Sequence, residues 1–282
     1  MNYIYLILII LAVSFQNIVQ KPYTQKTEGK GVFTFTLMSS LAALLFFIIT
    51  SKGLKFDSGI LLYSFFFALS YMTCSVSLVA AIGSGSLSLT TLINSYSLML
   101  PTLYGLIFLK DEIKPGLIPG IILLAISLFL TNKKGSDKKF SVKWLIYVSL
   151  AFVGNGMCTI VQKSQQLAFD GAYKNEFMIA ALSMVVILLI PVVLKKEGKN
   201  ALSLIKAGWK WALPCGLANG LTNMLVMVLS GIMAASLMFP LISAGGLIIT
   251  YLVSKFFYKE YLTKLQTAGM FVGLASVILL NL

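Results

Sequence analysis

Ten long apolar runs follow one another along the chain, and they restrict its possible folds more than any other feature. Each run holds roughly 17–24 residues, the length that an α-helix needs to cross the hydrocarbon core of a bilayer. Because lipid offers no hydrogen-bond partners, a spanning segment must be a helix or a strand of a closed barrel. Barrel strands are about ten residues long and alternate in polarity, which these runs do not. The sequence therefore predicts an all-α integral membrane protein with ten transmembrane helices.

Composition agrees with this assignment. Of the 282 residues, 58% are hydrophobic and only 11% are charged, whereas a soluble domain has about a quarter of its residues charged. The net charge of +13 comes from lysines that stand between the apolar runs, which is typical of loops at lipid headgroups and not of a nucleic-acid-binding surface. The predicted spans are 3–20, 31–50, 58–81, 86–109, 115–131, 143–163, 174–194, 209–229, 234–256 and 265–282.

The end of the first span recurs at the end of the sixth. The residues Ile-Val-Gln-Lys occupy 18–21 and again 160–163, an offset of 142. The ends of the fourth and ninth spans also match, since acidic turns at Glu112 and Glu260 are 148 residues apart. Glycines follow inside the next helix, at Gly120 and Gly269, which are 149 residues apart. The small drift of the offset indicates two copies of one unit.

These matches predict two five-helix repeats, over residues 1–131 and 143–282, joined by a polar linker at 132–142. Because five is an odd number, the second repeat enters the membrane from the side opposite to the first. Such an inverted repeat is the architecture of many secondary transporters, whose substrate site lies near the midplane between the halves. Ten spans also place both termini on one side of the membrane.

A helix that ends in an acidic turn and is followed by a short loop and a glycine-bearing helix, in both halves, resembles the EamA-type drug/metabolite transporter superfamily. The stretch 240–250, running on to Lys259 and Glu260, is similar to the last two helices of the small multidrug resistance proteins of that superfamily. The resemblance covers the whole chain and implies a transporter fold. It does not imply a substrate, because the superfamily moves amino acids, sugars, nucleotides, lipids and drugs.

The chain departs from that pattern at one chemically important place. The small multidrug resistance proteins carry a carboxylate inside their first helix, where it exchanges protons for cationic drugs. Here the first span offers Ser14, Gln16 and Asn17, which do not titrate. The sequence therefore argues against proton antiport by that mechanism.

Polar side chains inside lipid spans are costly, so they are expected to face the bundle interior or a wet cavity. At the repeat offset of 148, Tyr71 aligns with Asn219, and Ser95 aligns with Ser243. Interhelical hydrogen bonds and packing seams are the alternative role for all such side chains. The residues predicted to bind a substrate are Tyr71, Asn94, Tyr96, Asn155, Asn219, Thr222, Asn223 and Ser243.

The leading hypothesis is a multi-pass cell-membrane carrier, an exporter or exchanger, that moves a small polar or zwitterionic metabolite or drug by alternating access. A flippase for an amphiphilic lipid intermediate and a non-transporting accessory subunit are the alternatives. A membrane enzyme is disfavoured, because the sequence has no histidine and no carboxylate cluster within a span. No catalytic residue, metal or cofactor is predicted. The predicted partners are the substrate and the bilayer, without nucleic acid, for a monomer or a homodimer.

The orientation of the chain in the membrane stays open. Sixteen of the 22 lysines fall in the loops that follow odd-numbered spans, so the positive-inside rule places both termini outside. The family resemblance implies that both termini lie inside.

Overall fold

The computed structural model describes residues 2–51, 53–55, 57–108, 115–132, 141–230, 235–259 and 263–279. Across these residues the chain is helical and contains no β-strand, which confirms the all-α prediction. The α-helices are α1 (Asn2–Lys26), α2 (Val32–Thr50), α3 (Ile60–Ser84), α4 (Leu87–Ser95), α5 (Met99–Phe108), α6 (Leu117–Asn132), α7 (Val142–Ala168), α8 (Lys174–Lys196), α9 (Ala201–Ser230), α10 (Ala235–Phe256) and α11 (Lys264–Leu279).

Six of the described helices, α1, α2, α3, α7, α8 and α9, are long and apolar enough to cross a membrane. Of the remaining helices, α4, α5, α6 and α11 have at most 16 residues, and α10 is a shorter apolar helix over Leu241–Phe256. A helix nevertheless lies at each of the ten predicted spans. The acidic turns at Glu112 and Glu260 and residues 133–140 of the linker lie outside the described residues. The structure thus gives a helical membrane protein with six candidate spans.

The predicted span 86–109 is not one continuous helix. A 3-10 turn, Tyr96–Leu98, separates α4 from α5. Pro101 explains the break, because proline has no backbone N–H and its ring clashes with the carbonyl four residues earlier, here that of Ser97. Within α5 the proline stands in the first turn, where its missing N–H would have no partner in the helix.

Proline has a related effect in α1, where Pro22 lies inside the helix. It cannot donate to the carbonyl of Ile18, which is four residues earlier. The hydroxyl of Tyr258 donates to that carbonyl oxygen at 3.2 Å. The segment after α10 therefore satisfies a backbone acceptor that lipid would leave without a partner.

The closest helix packing joins the first half of the chain to the second: α3 packs on α7 and α8, α2 on α8 and α9, α1 on α9 and α10, and α6 on α11. Glycine permits two of these approaches. A Cβ at Gly154 would lie 2.7 Å from the backbone nitrogen of Cys74, and one at Gly216 would lie 2.1 Å from the backbone oxygen of Ser39. Small residues at such contacts are common in membrane bundles. The helices of the two halves therefore pack mainly against each other rather than within each half.

The pair formed by α6 and α11 is held by two reciprocal hydrogen bonds. The Ser127 hydroxyl donates to the Gly269 carbonyl at 2.6 Å, and the Ser276 hydroxyl donates to the Gly120 carbonyl at 2.7 Å. All four residues are buried. Both serines and both glycines are separated by 149 residues, so the second bond is the first with the halves exchanged.

Replacement of either serine by alanine should lower stability, and Ser127→Ala should cost more. Ser276→Ala removes one hydrogen bond, worth about 1 kcal/mol. Ser127→Ala also leaves the buried Tyr96 hydroxyl without the partner it has in Ser127, and an unsatisfied buried group costs about 1–3 kcal/mol. Thermal unfolding of the purified variants measures both effects. Equal stability of wild type and both variants would contradict this account of the α6–α11 pair.

Candidate functional site

A polar chamber of about 240 Å³ lies between the two halves. Its wall is formed by side chains of α1, α2, α3, α4, α7, α9 and α10. Among the described residues that line it there is no aspartate, glutamate, lysine, arginine or histidine. Pockets for drug-sized ligands are typically about 300–1,000 Å³, so the chamber has the size for a small metabolite.

Seven of the eight residues predicted to bind a substrate line this one chamber. They come from α3, α4, α7, α9 and α10 and are Tyr71, Asn94, Asn155, Asn219, Thr222, Asn223 and Ser243. Tyr96 is placed elsewhere. Its side chain is fully buried in a hydrophobic cluster with Leu247 and Met270, and its hydroxyl is bonded to Ser127. The cause is its position: Tyr96 follows the wall residue Asn94 by two residues, which is about 200° around a helix, so the two side chains lie on opposite faces.

Asn219 is the centre of the hydrogen-bond network in the chamber. Its amide nitrogen donates to Gln16 Oε1 at 2.9 Å, and its amide oxygen accepts from the Tyr71 hydroxyl at 3.1 Å. Gln16 in turn donates to Thr222 Oγ1 at 2.9 Å. The ring of Phe67 stacks on the ring of Tyr71, with the ring centroids 5.8 Å apart. The network thus joins α1, α3 and α9 at one point.

The network continues from Asn219 into the second half. Asn223, one turn later on α9, donates to the side-chain oxygen of Asn219 at 3.2 Å and accepts from Gln162 Nε2 at 3.1 Å. Farther along α7, Asn155 donates to the Ser97 hydroxyl at 2.6 Å, in the turn between α4 and α5. Four helices therefore share one set of uncharged donors and acceptors.

Sequence reasoning did not assign Gln16, Gln20 and Gln162 to the site, although all three line the chamber. A signal for them existed, because Gln16 and Gln20 are one helical turn apart and Gln20 recurs as Gln162 at the repeat offset. Sequence reasoning also missed the three cysteines, Cys74, Cys158 and Cys215, which are buried free thiols on the chamber wall. Their apolar neighbours along the chain gave no sign of this position.

Beside the wall residues Gln20 and Val79, α1 is bonded to the end of α3, and this side of the chamber is here called the Lys21 end. The Lys21 ammonium donates to the carbonyls of Ile82 at 3.2 Å and Gly85 at 3.0 Å, at the C-terminal end of α3. These carbonyls carry the negative end of the helix dipole, which favours a cation. At this end α1 packs on α3 and α4, whereas within the described part of the chain α7 makes no comparable backbone contact with α9 or α10.

Comparison with known proteins shows the fold alone. A solved structure, described only as "Crystal structure of protein", superposes with a TM-score of 0.61 at 11% sequence identity, and the match covers 97% of this chain and 98% of that chain. No model of a known protein family matches the chain, and no curated protein matches it. The fold of the described residues therefore also occurs in a solved protein.

The arrangement predicts that Asn219→Ala lowers stability more than Tyr71→Phe. The alanine leaves Gln16 Oε1 and the Tyr71 hydroxyl without their partner at Asn219, at about 1–3 kcal/mol, while the phenylalanine removes a single hydrogen bond worth about 1 kcal/mol. Thermal unfolding in detergent checks the order. If Tyr71→Phe destabilises as much as Asn219→Ala, Asn219 is not the centre of the network.

Proposed function

We propose that the protein is a secondary carrier of the drug/metabolite transporter type, which moves a small polar or zwitterionic solute across the membrane by alternating access. The observation that carries the proposal is the uncharged polar chamber between the two halves of a helical membrane protein. Interhelical hydrogen bonds alone do not require an open volume of about 240 Å³ beside the amides. Polar groups that face a cavity inside a membrane protein are typical of a substrate pathway.

The wall of the chamber supports an inverted repeat. Most of its residues fall into eleven pairs that are separated by 142 residues, in α1 and α7, or by 148 residues, in α3 to α4 and α9 to α10. The pairs are Val13 and Asn155, Gln16 and Cys158, Asn17 and Thr159, Gln20 and Gln162, Phe67 and Cys215, Tyr71 and Asn219, Cys74 and Thr222, Ser75 and Asn223, Leu78 and Val226, Asn94 and Ile242, and Ser95 and Ser243. Corresponding surfaces of the two halves thus face one another.

The helix contacts support the same symmetry. At the repeat offsets, α1, α2 and α3 correspond to α7, α8 and α9. Replacing each helix by its counterpart turns the α3–α7 contact into α9–α1 and the α2–α9 contact into α8–α3, and all four contacts exist. The α6–α11 and α2–α8 contacts are their own counterparts. Together with helices at all ten predicted spans, this pattern favours two five-helix repeats of opposite orientation.

The departure from symmetry supports alternating access. At the Lys21 end α1 is bonded to α3, while the corresponding helix, α7, makes no comparable approach to α9 and α10 within the described residues. We infer that the contact of α1 with α3 closes this end. Lys163 is the counterpart of Lys21 at the repeat offset of 142. In a carrier with inverted repeats, exchange of the conformations of the two halves closes the other end. Lys163 would then bind the C-terminal carbonyls of α9.

The lack of charge in the chamber bears on energy coupling. A proton-coupled carrier needs a group that gains and loses a proton where it can meet the substrate, and no carboxylate or histidine is among the described residues on the wall. Glu112 and Glu260, the acidic residues of the repeated turns, lie outside the described residues. We therefore propose a uniporter or an exchanger of solutes.

Exchange in liposomes tests the proposed function. A ligand is first found by its thermal stabilisation of the purified protein, in a panel of amino acids, polyamines, nucleosides and quaternary amines. Labelled ligand should then exchange into preloaded liposomes at a rate that a protonophore leaves unchanged within about twofold, since the described wall carries no carboxylate or histidine to take up a proton near pH 7. Protein-free liposomes are the control.

Two results would contradict parts of the proposal. A ligand that binds and never crosses the membrane would argue for a receptor or accessory subunit. Exchange that stops without a pH gradient and returns when one is imposed would show a titrating group, and Glu112→Gln and Glu260→Gln would locate it.

A further inference from the structure

Two amide oxygens on the chamber wall have no hydrogen-bond donor. They are Gln20 Oε1 on α1 and Asn94 Oδ1 on α4, and both atoms are buried from solvent. The Gln20 side chain is more than nine-tenths buried, at 7% exposure. An amide oxygen only accepts hydrogen bonds, and a buried acceptor without a donor is rare in native structures.

Among the described residues, three other buried side-chain atoms have no hydrogen-bond partner, and they differ from the two amide oxygens in chemical type and in position. They are hydroxyl oxygens, of Ser40, Ser88 and Thr250, and none of these residues lines the chamber. A hydroxyl can rotate its own proton toward a neighbouring acceptor, whereas an amide oxygen depends on a donor that another group supplies. Gln20 and Asn94 do line the chamber, and rotation of either side chain turns its amide oxygen toward a ligand held there.

We propose that the chamber binds its substrate through N–H groups that donate to Gln20 Oε1 and Asn94 Oδ1. The inference rests on the proposed function and deepens it, because it names the group by which a small solute is recognised. The described wall has no carboxylate, and the Lys21 ammonium follows Gln20 directly in the chain. A solute with a net positive charge is therefore disfavoured. The substrate class is a neutral or zwitterionic molecule that carries a primary amino or amide group.

Matched ligands that differ only in their N–H groups test this inference. One pair is 4-aminobutanoate and its N-trimethyl derivative, which are both zwitterions; the other is nicotinamide and N,N-dimethylnicotinamide, which are both neutral. Binding to the purified full-length protein is measured by isothermal titration calorimetry. We expect the N–H member of at least one pair to bind ten times more tightly than its methylated partner, because only it satisfies the two oxygens.

Substitutions assign the effect to the two oxygens. Gln20→Met keeps the length of the side chain and removes the acceptor, so it should weaken binding of the N–H member five- to thirtyfold and leave the methylated member unchanged. Asn94→Leu should act in the same way and serves if Gln20→Met does not fold. Ser40→Ala removes a buried unpartnered oxygen outside the chamber and should leave both affinities unchanged.

The possible results separate this inference from the proposed function. Equal binding within both pairs, no binding by either N–H member, or unchanged affinity in Gln20→Met would overturn the N–H subsite. If the methylated compounds bind as tightly as the N–H members and are exchanged across the liposome membrane, the transport function is supported and the N–H subsite is contradicted. If the N–H member binds selectively and is never exchanged, the N–H subsite is supported and the transport function is contradicted.

Discussion

Hydrocarbon offers no hydrogen-bond partner to an amide, so the amide side chains within the membrane-spanning helices need partners inside the bundle. Asn219 is hydrogen-bonded to Gln16 of α1, to Tyr71 of α3 and to Asn223 of its own helix α9, and so connects three helices. Gln162 extends the connection to α7. Because these residues belong to both halves of the chain, the network fixes how the halves meet. The chamber is the space that this uncharged network encloses.

Two kinds of contact hold the halves around the chamber. In the first kind, glycines and paired serines bring helix backbones close together, as Gly154 does on α3 and as Ser127 and Ser276 do between α6 and α11. In the second kind, side-chain amides around the chamber make hydrogen bonds that a rotation of the side chain can exchange for others. In the proposed carrier, contacts of the first kind would remain intact while the chamber opens at one end or the other. The Lys21 bonds to two carbonyls of α3 are a contact of the replaceable kind.

Much of the arrangement could be predicted from the sequence, since the length of an apolar run determines a lipid-spanning helix. The repeat offset aligns Tyr71 with Asn219, and in the structure these two residues are hydrogen-bonded to each other. Tyr96, also predicted to bind a substrate, does not line the chamber, because it lies on the opposite face of its helix from Asn94. The three cysteines were missed since only the packing of α3, α7 and α9 in the folded bundle brings them to the wall, whereas the recurrence of Gln20 as Gln162 was a signal that was not used.

The central claim is that one chamber opens in turn to both sides of the membrane, and the three native cysteines report it directly. All cysteines of the chain line the chamber. In sealed vesicles of uniform orientation, a charged, impermeant thiol reagent added to either face should modify them. Lys21→Met should raise the rate of thiol modification by reagent added on the side of the Lys21 end. The matched variant Lys163→Met should not raise that rate. Modification from a single face only, in the wild type and in both variants, would contradict alternating access.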